Sequence, residues 1–226
     1  MYICKNIFMR TSSEEDYLKA IYSLSNSNSG ASTNALAQHL EMKASSITDM
    51  LKKLSDKGWV NYEKYKGVSL KKEGKIIALN IVRKHRLWET FLVNKLNFKW
   101  DEVHEIAEQL EHIKSNELID RLDDFLENPE FDPHGDPIPN KNHEITDSRI
   151  RSYLSEVEIN KEVVIIGVKD SSTQLLQYLE KESMILGKSI KILEIHAFDK
   201  SLKISIDNRE LNISERVAQN VLVEVN

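Results

Sequence analysis

The first third of the chain changes between helical and strand-like periodicity in an order that few folds accommodate. Apolar residues repeat with helical spacing three times and then alternate twice in short runs. The helical stretches are 11–24, 33–40 and 44–57, and the alternating runs are 59–63 and 68–70. Gly58 follows the third stretch in the manner of a residue that ends a helix. Helix, helix, turn, helix and hairpin in that order predicts a winged helix-turn-helix.

In the rest of the chain the apolar residues repeat first with helical periodicity and then in strand-like runs. Helices are predicted over 72–96, from Trp100 to about His112, and over 115–127, and a proline-rich loop follows them. After about residue 150, apolar runs with hairpin spacing predict a small β-barrel. The fold class is therefore mainly α with small β: a winged helix-turn-helix at 10–73, a helical domain at 74–141, a linker at 142–152 and a small β-barrel domain at 153–226.

Size and charge narrow the class of protein. At 226 residues the chain is long enough for more than one domain, and no apolar run is long enough to span a bilayer. The net charge is −5, but basic residues outnumber acidic ones over 10–75, whereas acidic residues dominate 99–136. This asymmetry fits a DNA-contacting part followed by a cation-binding part. Cys4 is the only cysteine, which predicts a reducing, cytoplasmic environment.

Imidazole and carboxylate side chains recur at helical spacing in the acidic part. His85 and Glu89 are four residues apart on one predicted helix. On the next helix four such residues share one predicted face: His104, Glu108, Glu111 and His112. Carboxylates clustered in this way repel each other unless a cation or a proton intervenes. A donor set without thiols suits a first-row divalent ion of borderline-to-hard character.

Three other interpretations compete with a metal-sensing DNA binder. An exposed helix face that carries acids is most often simply solvated. A hydrolytic metal site would use similar ligands, but the chain has no HExxH motif, nucleophile elbow or phosphate loop. A winged helix can also serve as a protein-docking module.

The predicted recognition helix and wing supply the candidate DNA contacts. Short hydroxyl residues lie near the amino end of the helix, where backbone N–H groups favour phosphate, and lysines follow on its outer face and on the wing. The candidate residues are Ser45, Ser46, Thr48, Asp49, Lys52, Lys53, Lys64 and Lys66. One such module makes a modest interface, so a dimer that binds two half-sites is expected.

Several segments in order resemble one known family. Six stretches within 11–140 carry the resemblance: EEDYLKAIYSL, ALAQHLEMKASSITDMLKKLSDKGWV, YEKYKGVSL, RKHRLWETFL, EVHEIAEQLEH and DPHGDPIP. They resemble the diphtheria toxin repressor family of metal-dependent transcriptional regulators, in its manganese-responsive branch. The C-terminal part resembles the SH3-like, FeoA-type domain of many members. The resemblance implies a cytoplasmic, homodimeric repressor of metal-uptake genes that binds a palindromic DNA operator when metal is bound, with no membrane and no small organic substrate as partners.

The resemblance also implies two sets of ligands. The primary set is Asp16, Glu108, Glu111 and His112, with His85 nearby. A second set combines Glu89 either with His104 or with Asp132, His134 and Asp170. Glu108 stands where iron-responsive members carry cysteine, which favours Mn²⁺, with Fe²⁺ as the alternative and Zn²⁺ or Co²⁺ as ions that bind such sites in vitro. Lys19 replaces a ligand glutamate of two-metal members, and a charged lysine cannot bind a metal ion.

Overall fold

The computed structural model of the chain describes residues 10–25, 30–64 and 66–225. Cys4 lies outside these ranges. The helices are α1 (Ser12–Leu24), α2 (Thr33–His39), α3 (Ala44–Asp56), α4 (Lys72–Leu96), α5 (His104–Leu110), α6 (Asn116–Phe125), α7 (Thr173–Lys181) and α8 (Glu215–Ala218). The strands are β1 (Val60–Glu63), β2 (Gly67–Leu70), β3 (Arg151–Tyr153), β4 (Glu162–Val168), β5 (Ser189–Ile195), β6 (Leu202–Ile206), β7 (Arg209–Ile213) and β8 (Val221–Glu224).

The chain divides into two compact units, and the division falls inside α4. The first unit contains the described residues up to His85 together with 110–114 and 139–144, and the second contains 86–109, 115–138 and 145–225. The fold class predicted from the sequence is confirmed: a winged helix-turn-helix, further helices and a small β domain.

The first unit contains the winged helix, in which local features mark where individual helices begin and end. Thr11 and Glu14 form a capping box at the start of α1. Gly58 adopts φ +76° after α3, a conformation in which a side chain would be strained. Strands β1 and β2 pair antiparallel as the wing. The core consists of fully buried aliphatic side chains from the three helices, each of which contributes about 1.5–3 kcal/mol: Leu18, Ile21, Leu36, Ile47, Leu51 and Leu54.

The second unit combines a small helical core with a six-stranded sheet. Leu87 of α4 packs with Ile119 and Leu122 of α6 and with Ile138. The strands follow the order β3-β8-β4-β5-β6-β7, and all neighbouring pairs are antiparallel. Trp100 packs into the core of this sheet. The strands β3 and β7 were not anticipated from the sequence, because neither has a clear apolar alternation.

The helix predicted from Trp100 to about His112 is shorter than expected. It begins at His104 and ends at Leu110, so Glu111 and His112 lie in the turn that follows it. The next helix begins at Asn116 with Ser115 as its N-cap, close to its predicted start. The four residues predicted on one helix face are therefore split between a helix and a turn. Among the helices in the described ranges, none combines the length and apolar character needed to cross a membrane.

Candidate metal centres and nucleic-acid interface

A first cluster of metal-binding groups joins α1 to the turn after α5. One ligand atom each of Asp16, Glu111 and His112 lies within 4.8 Å of the others. His112 Nε2 is 3.0 Å from Asp16 Oδ1. The resemblance implied these three residues as ligands, and the structure brings them together although about 95 residues separate Asp16 from Glu111 in the chain. Two carboxylates and one imidazole suit a divalent ion such as Mn²⁺ or Fe²⁺.

Glu15 orients His112 and was not singled out from the sequence. Its Oε2 lies 2.8 Å from His112 Nδ1, and its side chain is buried. A proton on Nδ1 donated to Glu15 leaves Nε2 as the nitrogen that faces Asp16, the arrangement common at metal-bound histidines. The only signal in the sequence was a second acid beside Asp16, and adjacent residues on a helix point about 100° apart.

Lys19 lies against the most deeply buried carboxylate of the first cluster. Its Nζ donates to Glu111 Oε2 at 2.7 Å and lies 3.1 Å from His85 Nδ1. His85 Nδ1 is 2.6 Å from the same glutamate oxygen. Glu111 is fully buried, and among the described residues its Oε1 has no hydrogen-bond partner. A buried carboxylate oxygen without a donor is costly, and a cation beside Asp16 and His112 would satisfy it, so these residues fit a metal ion.

Helix α4 holds the turn that carries Glu111 and His112. The buried Lys84 donates from Nζ to the carbonyl oxygen of Ile113 at 2.7 Å. Burial lowers the pKa of Lys84 below its ordinary value, partly offset by the nearby Glu15 and Glu111. The turn is therefore anchored by one hydrogen bond to a side chain that has little freedom to move.

A second cluster lies in the other unit and is buried throughout. Ligand atoms of Glu89, Asp132 and His134 lie within 4.8 Å of one another. Glu89 lies between two histidines, with Oε1 3.4 Å from His104 Nδ1 and Oε2 3.5 Å from His134 Nδ1. Of the two partner sets that the resemblance left open for Glu89, His104 of one and His134 of the other both lie beside its carboxylate. Asp170 is not in this group; it is exposed and accepts hydrogen bonds from the backbone N–H and the hydroxyl of Ser172.

Protons and a guanidinium balance the charge of the second cluster. Burial raises the pKa of Asp132 to about 7, and Glu89 and Asp136 add to the effect. Burial alone would lower the pKa of His134, but its hydrogen bond with Glu89 and the charges of Glu89 and Asp132 raise it to about 9. Arg86 Nε lies 3.5 Å from Asp132 Oδ2. His134 is therefore a cation at neutral pH.

Backbone groups fix the ligands of the second cluster. His134 Nε2 donates to the carbonyl oxygen of Trp100 at 2.7 Å, which leaves Nδ1 as the nitrogen on the side of Glu89. Asp132 Oδ1 accepts from the backbone N–H groups of His134 and Asp136 at 2.8 and 3.0 Å. The sequence did not indicate this role of Trp100, since a carbonyl oxygen carries no signal in a pattern of side chains.

Glu108 and His104 belong to the second unit, on α5. His104 Nε2 lies 3.7 Å from Glu108 Oε1, one turn along the helix. His104 is exposed, with 54% of its side-chain surface accessible. The assignment of Glu108 to the primary set stays a prediction.

The exposed side of α3 and the wing present most of the candidate DNA contacts. Exposed side chains there are Ser45, Ser46, Asp49, Lys52, Lys53, Lys64 and Lys66. Thr48 is half-buried and donates from its hydroxyl to the carbonyl oxygen of Ala44. Three of these lysines have acidic partners within the chain. Lys52 Nζ lies 3.5 Å from Asp49 Oδ1, Lys53 Nζ lies 2.9 Å from Glu14 Oε1, and Lys66 Nζ lies 2.7 Å from Glu63 Oε2.

Three family models match the chain in succession. The N-terminal DNA binding domain of iron dependent repressors matches residues 9–68, and their metal binding and dimerisation domain matches residues 71–140. The FeoA domain matches residues 153–225. Together the three matches account for most of the chain.

Relatives and solved structures agree with these matches. An uncharacterised HTH-type transcriptional regulator of Methanocaldococcus jannaschii is 40% identical over 114 residues, which are 50% of this chain and 91% of that protein. The HTH-type transcriptional regulator MntR of Oceanobacillus iheyensis is 36% identical over 118 residues, 52% of this chain and 80% of that protein. The iron-dependent repressor IdeR of Mycobacterium leprae is 31% identical over 125 residues, and this chain covers 54% of it.

Two solved structures share the whole architecture. A manganese-dependent transcriptional repressor in complex with manganese is 32% identical, with a TM-score of 0.84 over 94% of this chain and 100% of that one. The manganese regulator SloR is 35% identical, with a TM-score of 0.75 over 94% of this chain and 98% of that one. The chain thus belongs to the iron-dependent repressor family, also called the diphtheria toxin repressor family, whose members are DNA-binding transcriptional regulators and not enzymes.

Proposed function

We propose that this chain is a Mn²⁺-activated, homodimeric repressor that binds a palindromic DNA operator and controls genes of metal-ion uptake. The observation that carries the proposal is the fully buried Glu111, which has one oxygen without a hydrogen-bond partner beside Asp16 and His112. The winged helix supplies the DNA-contacting surface, and α1, which carries Asp16, is one of its helices.

Ion binding to the residues of the first cluster would fix the position of α1 in the winged helix. Asp16, Glu111 and His112 are the ligands, with Glu108 and His85 as the further members of the primary set. The bound ion would supply positive charge, and carboxylates from separate segments of the chain would share it. Glu15 holds His112 in the correct tautomer, and Lys84 holds the turn at Ile113. Fixing α1 against this turn raises the population of the DNA-binding arrangement, and operator affinity rises in proportion.

The ligand chemistry favours Mn²⁺ over the alternatives. Carboxylate oxygens and imidazole nitrogens without a thiol suit Mn²⁺, and Fe²⁺ is the nearest alternative because it uses similar ligands. Zn²⁺ and Co²⁺ bind such donors tightly in vitro, so affinity alone does not identify the physiological ion. Proteins named for manganese and for iron regulation both occur among the similar proteins.

We assign the second cluster as a further metal site. Its ligands would be Glu89, Asp132 and His134, with His104 and Asp170 as candidate additions. Asp170 would have to leave Ser172 to reach it. An ion there would replace the positive charge that His134 carries as a proton, so its binding releases protons.

The remaining assignments follow the family. Residues 10–73 would contact the operator, 74–141 would bind metal and form the dimer, 142–152 would link, and 153–226 would form the SH3-like FeoA-type domain. We place the protein in the cytoplasm, with DNA, the divalent ion and a second copy of the chain as its partners and with no membrane or small organic substrate.

The test is a fluorescence-anisotropy titration. The probe is a labelled duplex that the Mn²⁺-loaded protein selects from a pool of palindromic sequences. Binding is measured in chelator and then with Mn²⁺, anaerobic Fe²⁺ or Zn²⁺. We expect binding only with metal, and a steep loss of affinity as salt rises, because lysines replace counterions on the phosphates. Equal binding in chelator and in metal would contradict the proposal, and failure to select any duplex from the pool would favour a protein-docking module.

A further inference from the structure

Three consecutive acidic residues of α1 contact two different parts of the winged-helix unit. Glu15 and Asp16 lie on either side of His112, at 2.8 Å from Nδ1 and 3.0 Å from Nε2. Glu14 contacts the C-terminal end of the recognition helix α3 instead, where its Oε1 lies 2.6 Å from Lys57 Nζ and 2.9 Å from Lys53 Nζ. One turn of α1 therefore joins the first metal cluster to the helix that faces DNA.

The contact between Glu14 and the two lysines limits how far these side chains can move, because Glu14 is fully buried. Its Oε2 accepts from the backbone N–H of Thr11 in the capping box, so the carboxylate cannot rotate away without exposing a helix end. A buried carboxylate that loses its cationic partners is strongly unfavourable. The end of α3 is thus held at a fixed position relative to the first turn of α1.

Lys57 extends this connection to the wing. It is the C-cap residue of α3, where a positive charge is favourable, and its side chain is mostly buried. Its Nζ also lies 4.7 Å from the ring centroid of Trp59, directly before β1. A single ammonium group therefore contacts Glu14 on α1 and the residue at which the wing begins.

We infer that Glu14 is a positioning residue that couples the first metal cluster to the recognition helix and wing, through Lys57 and Lys53. A shift of α1 that brings Asp16 toward a bound ion moves Glu14 with it, because the two residues share one helical turn. The inference rests on the proposed function, since it concerns how ion binding at Asp16 changes DNA affinity. Glu14 itself binds neither the ion nor DNA.

A different role for the same residues makes an opposite prediction. If Lys53 and Lys57 bind phosphates and Glu14 merely competes for them, removing the charge of Glu14 frees both lysines and strengthens DNA binding in chelator and in metal alike. If Glu14 only stabilises the fold, its removal lowers stability and leaves the effect of metal on DNA affinity unchanged.

The experiment measures the ratio of operator affinity with Mn²⁺ to that in chelator, in the full-length chain, on a duplex that the wild-type protein selects. We expect Glu14→Gln to bind Mn²⁺ as wild type does and to reduce this ratio about tenfold, within the range typical of coupling between two sites. By linkage, the tightening of Mn²⁺ binding by the duplex should fall by the same factor. Glu210→Gln is the matched control, because the exposed Glu210 also pairs with a lysine, Lys203, but in the C-terminal sheet and outside the winged helix.

The outcomes separate this inference from the proposed function. A wild-type ratio near one refutes the proposed function, and with it the coupling. A clear wild-type response with an unchanged ratio in Glu14→Gln overturns the role of Glu14 alone, as does stronger binding in both conditions. Should Glu14→Gln fail to fold, the double variant Lys53→Gln/Lys57→Gln removes the same contacts from α3, and an unchanged ratio there overturns the inference equally.

Discussion

The two clusters use the same ligand types but balance their charges differently. In the first cluster the carboxylate of Glu111 faces the ammonium of Lys19 on one oxygen and has no hydrogen-bond partner on the other. In the second cluster Asp132 is hydrogen-bonded to two backbone N–H groups, and His134 carries a proton beside Glu89. The first cluster therefore has one buried carboxylate oxygen without a donor, whereas in the second cluster the raised pKa of His134 favours a protonated imidazole beside Glu89.

This difference indicates distinct roles for the two sites. An ion at the first cluster adds a contact that nothing else in the described structure supplies, so its effect on the arrangement of α1 should be large. An ion at the second cluster exchanges one positive charge for another, so its effect should depend on pH. We therefore expect the first cluster to act as the switch and the second to adjust its sensitivity.

The largest effect is expected from Glu111→Gln. The variant removes the buried charge, keeps the shape of the side chain, and should abolish the metal-dependent rise in operator affinity, a loss of up to about 100-fold. Operator binding is measured by anisotropy with and without Mn²⁺, and bound metal by equilibrium dialysis. Glu117→Gln, at an exposed glutamate paired with Arg121, is the control. An undiminished metal response in Glu111→Gln would remove the first cluster as the switch.

A smaller effect is expected from His134→Gln. This change removes the imidazole of the second cluster and should weaken metal binding there by about 10–100-fold, while the first cluster keeps its affinity. Calorimetric titration with Mn²⁺ should then show one tight and one weak class of sites. Loss of both classes together would mean that the clusters do not act separately. His143→Gln, at a histidine that belongs to neither cluster, is the matched control.

The pH dependence of stability should also distinguish the second cluster. The pKa of His134 is raised from 6.5 to about 9, so its contribution is complete below pH 6.5 and is lost as the pH rises through 9. The raised pKa of Asp132 acts in the same direction at lower pH, as the pH rises through about 7. In chelator, the free energy of unfolding should therefore fall by a few kcal/mol between mildly acidic and alkaline pH.

Chemical denaturation at a series of pH values measures this fall. His134→Gln should flatten the alkaline part of the profile, since glutamine does not titrate. Metal binding to the second cluster should show the opposite trend and strengthen as the pH rises, because the competing proton leaves. A wild-type profile as flat as that of the variant would contradict the assignment of a proton to His134.

The smallest change concerns stoichiometry. Lys19→Glu replaces the ammonium beside Glu111 and His85 with a carboxylate, and we expect one additional Mn²⁺ per chain at the first cluster. Electron paramagnetic resonance would detect the new ion through its magnetic coupling to the first. Lys19→Gln is the control, because it removes the cation without adding a ligand. An unchanged metal count in Lys19→Glu would show that the ammonium does not limit the site to one ion.

Much of the fold could be predicted from the sequence because it rests on local signals. Helical periodicity and Gly58 marked the winged helix, and apolar runs marked β4, β5, β6 and β8. The end of α5 was not predicted, because no glycine or proline follows Leu110 before α6 to mark it. The residues Glu111 and His112 keep the helical spacing in sequence but lie in a turn. Strands β3 and β7 were missed because neither has a clear apolar alternation and most of their residues are exposed or only partly buried.

The types of ligand at the site could be predicted from the sequence better than the groups that hold those ligands in place. Spacing indicated the histidines and carboxylates of 85–112, whereas Asp16, Asp132 and His134 came from the resemblance alone. Glu15, the carbonyl group of Trp100 and the contact of Lys19 with Glu111 depend on tertiary structure. Such partners lie far apart in the chain, and no local pattern in a single sequence reports them.

The backbone of the loop that carries Asp132 and His134 lies in close contact with the backbone of the C-terminal sheet. Gly135 has φ +88°, and any side chain there would overlap the backbone of Ile166 and Gly167 in β4. Val168 N–H donates to the carbonyl oxygen of His134, and Arg149 donates to that of Gly135. A protein shortened before β3 would therefore keep Glu89, Asp132 and His134 but lose the backbone contacts of β4 that hold their loop. The small β domain thus acts as a brace for the second cluster, whereas the first cluster lies wholly within the other unit and does not depend on that brace.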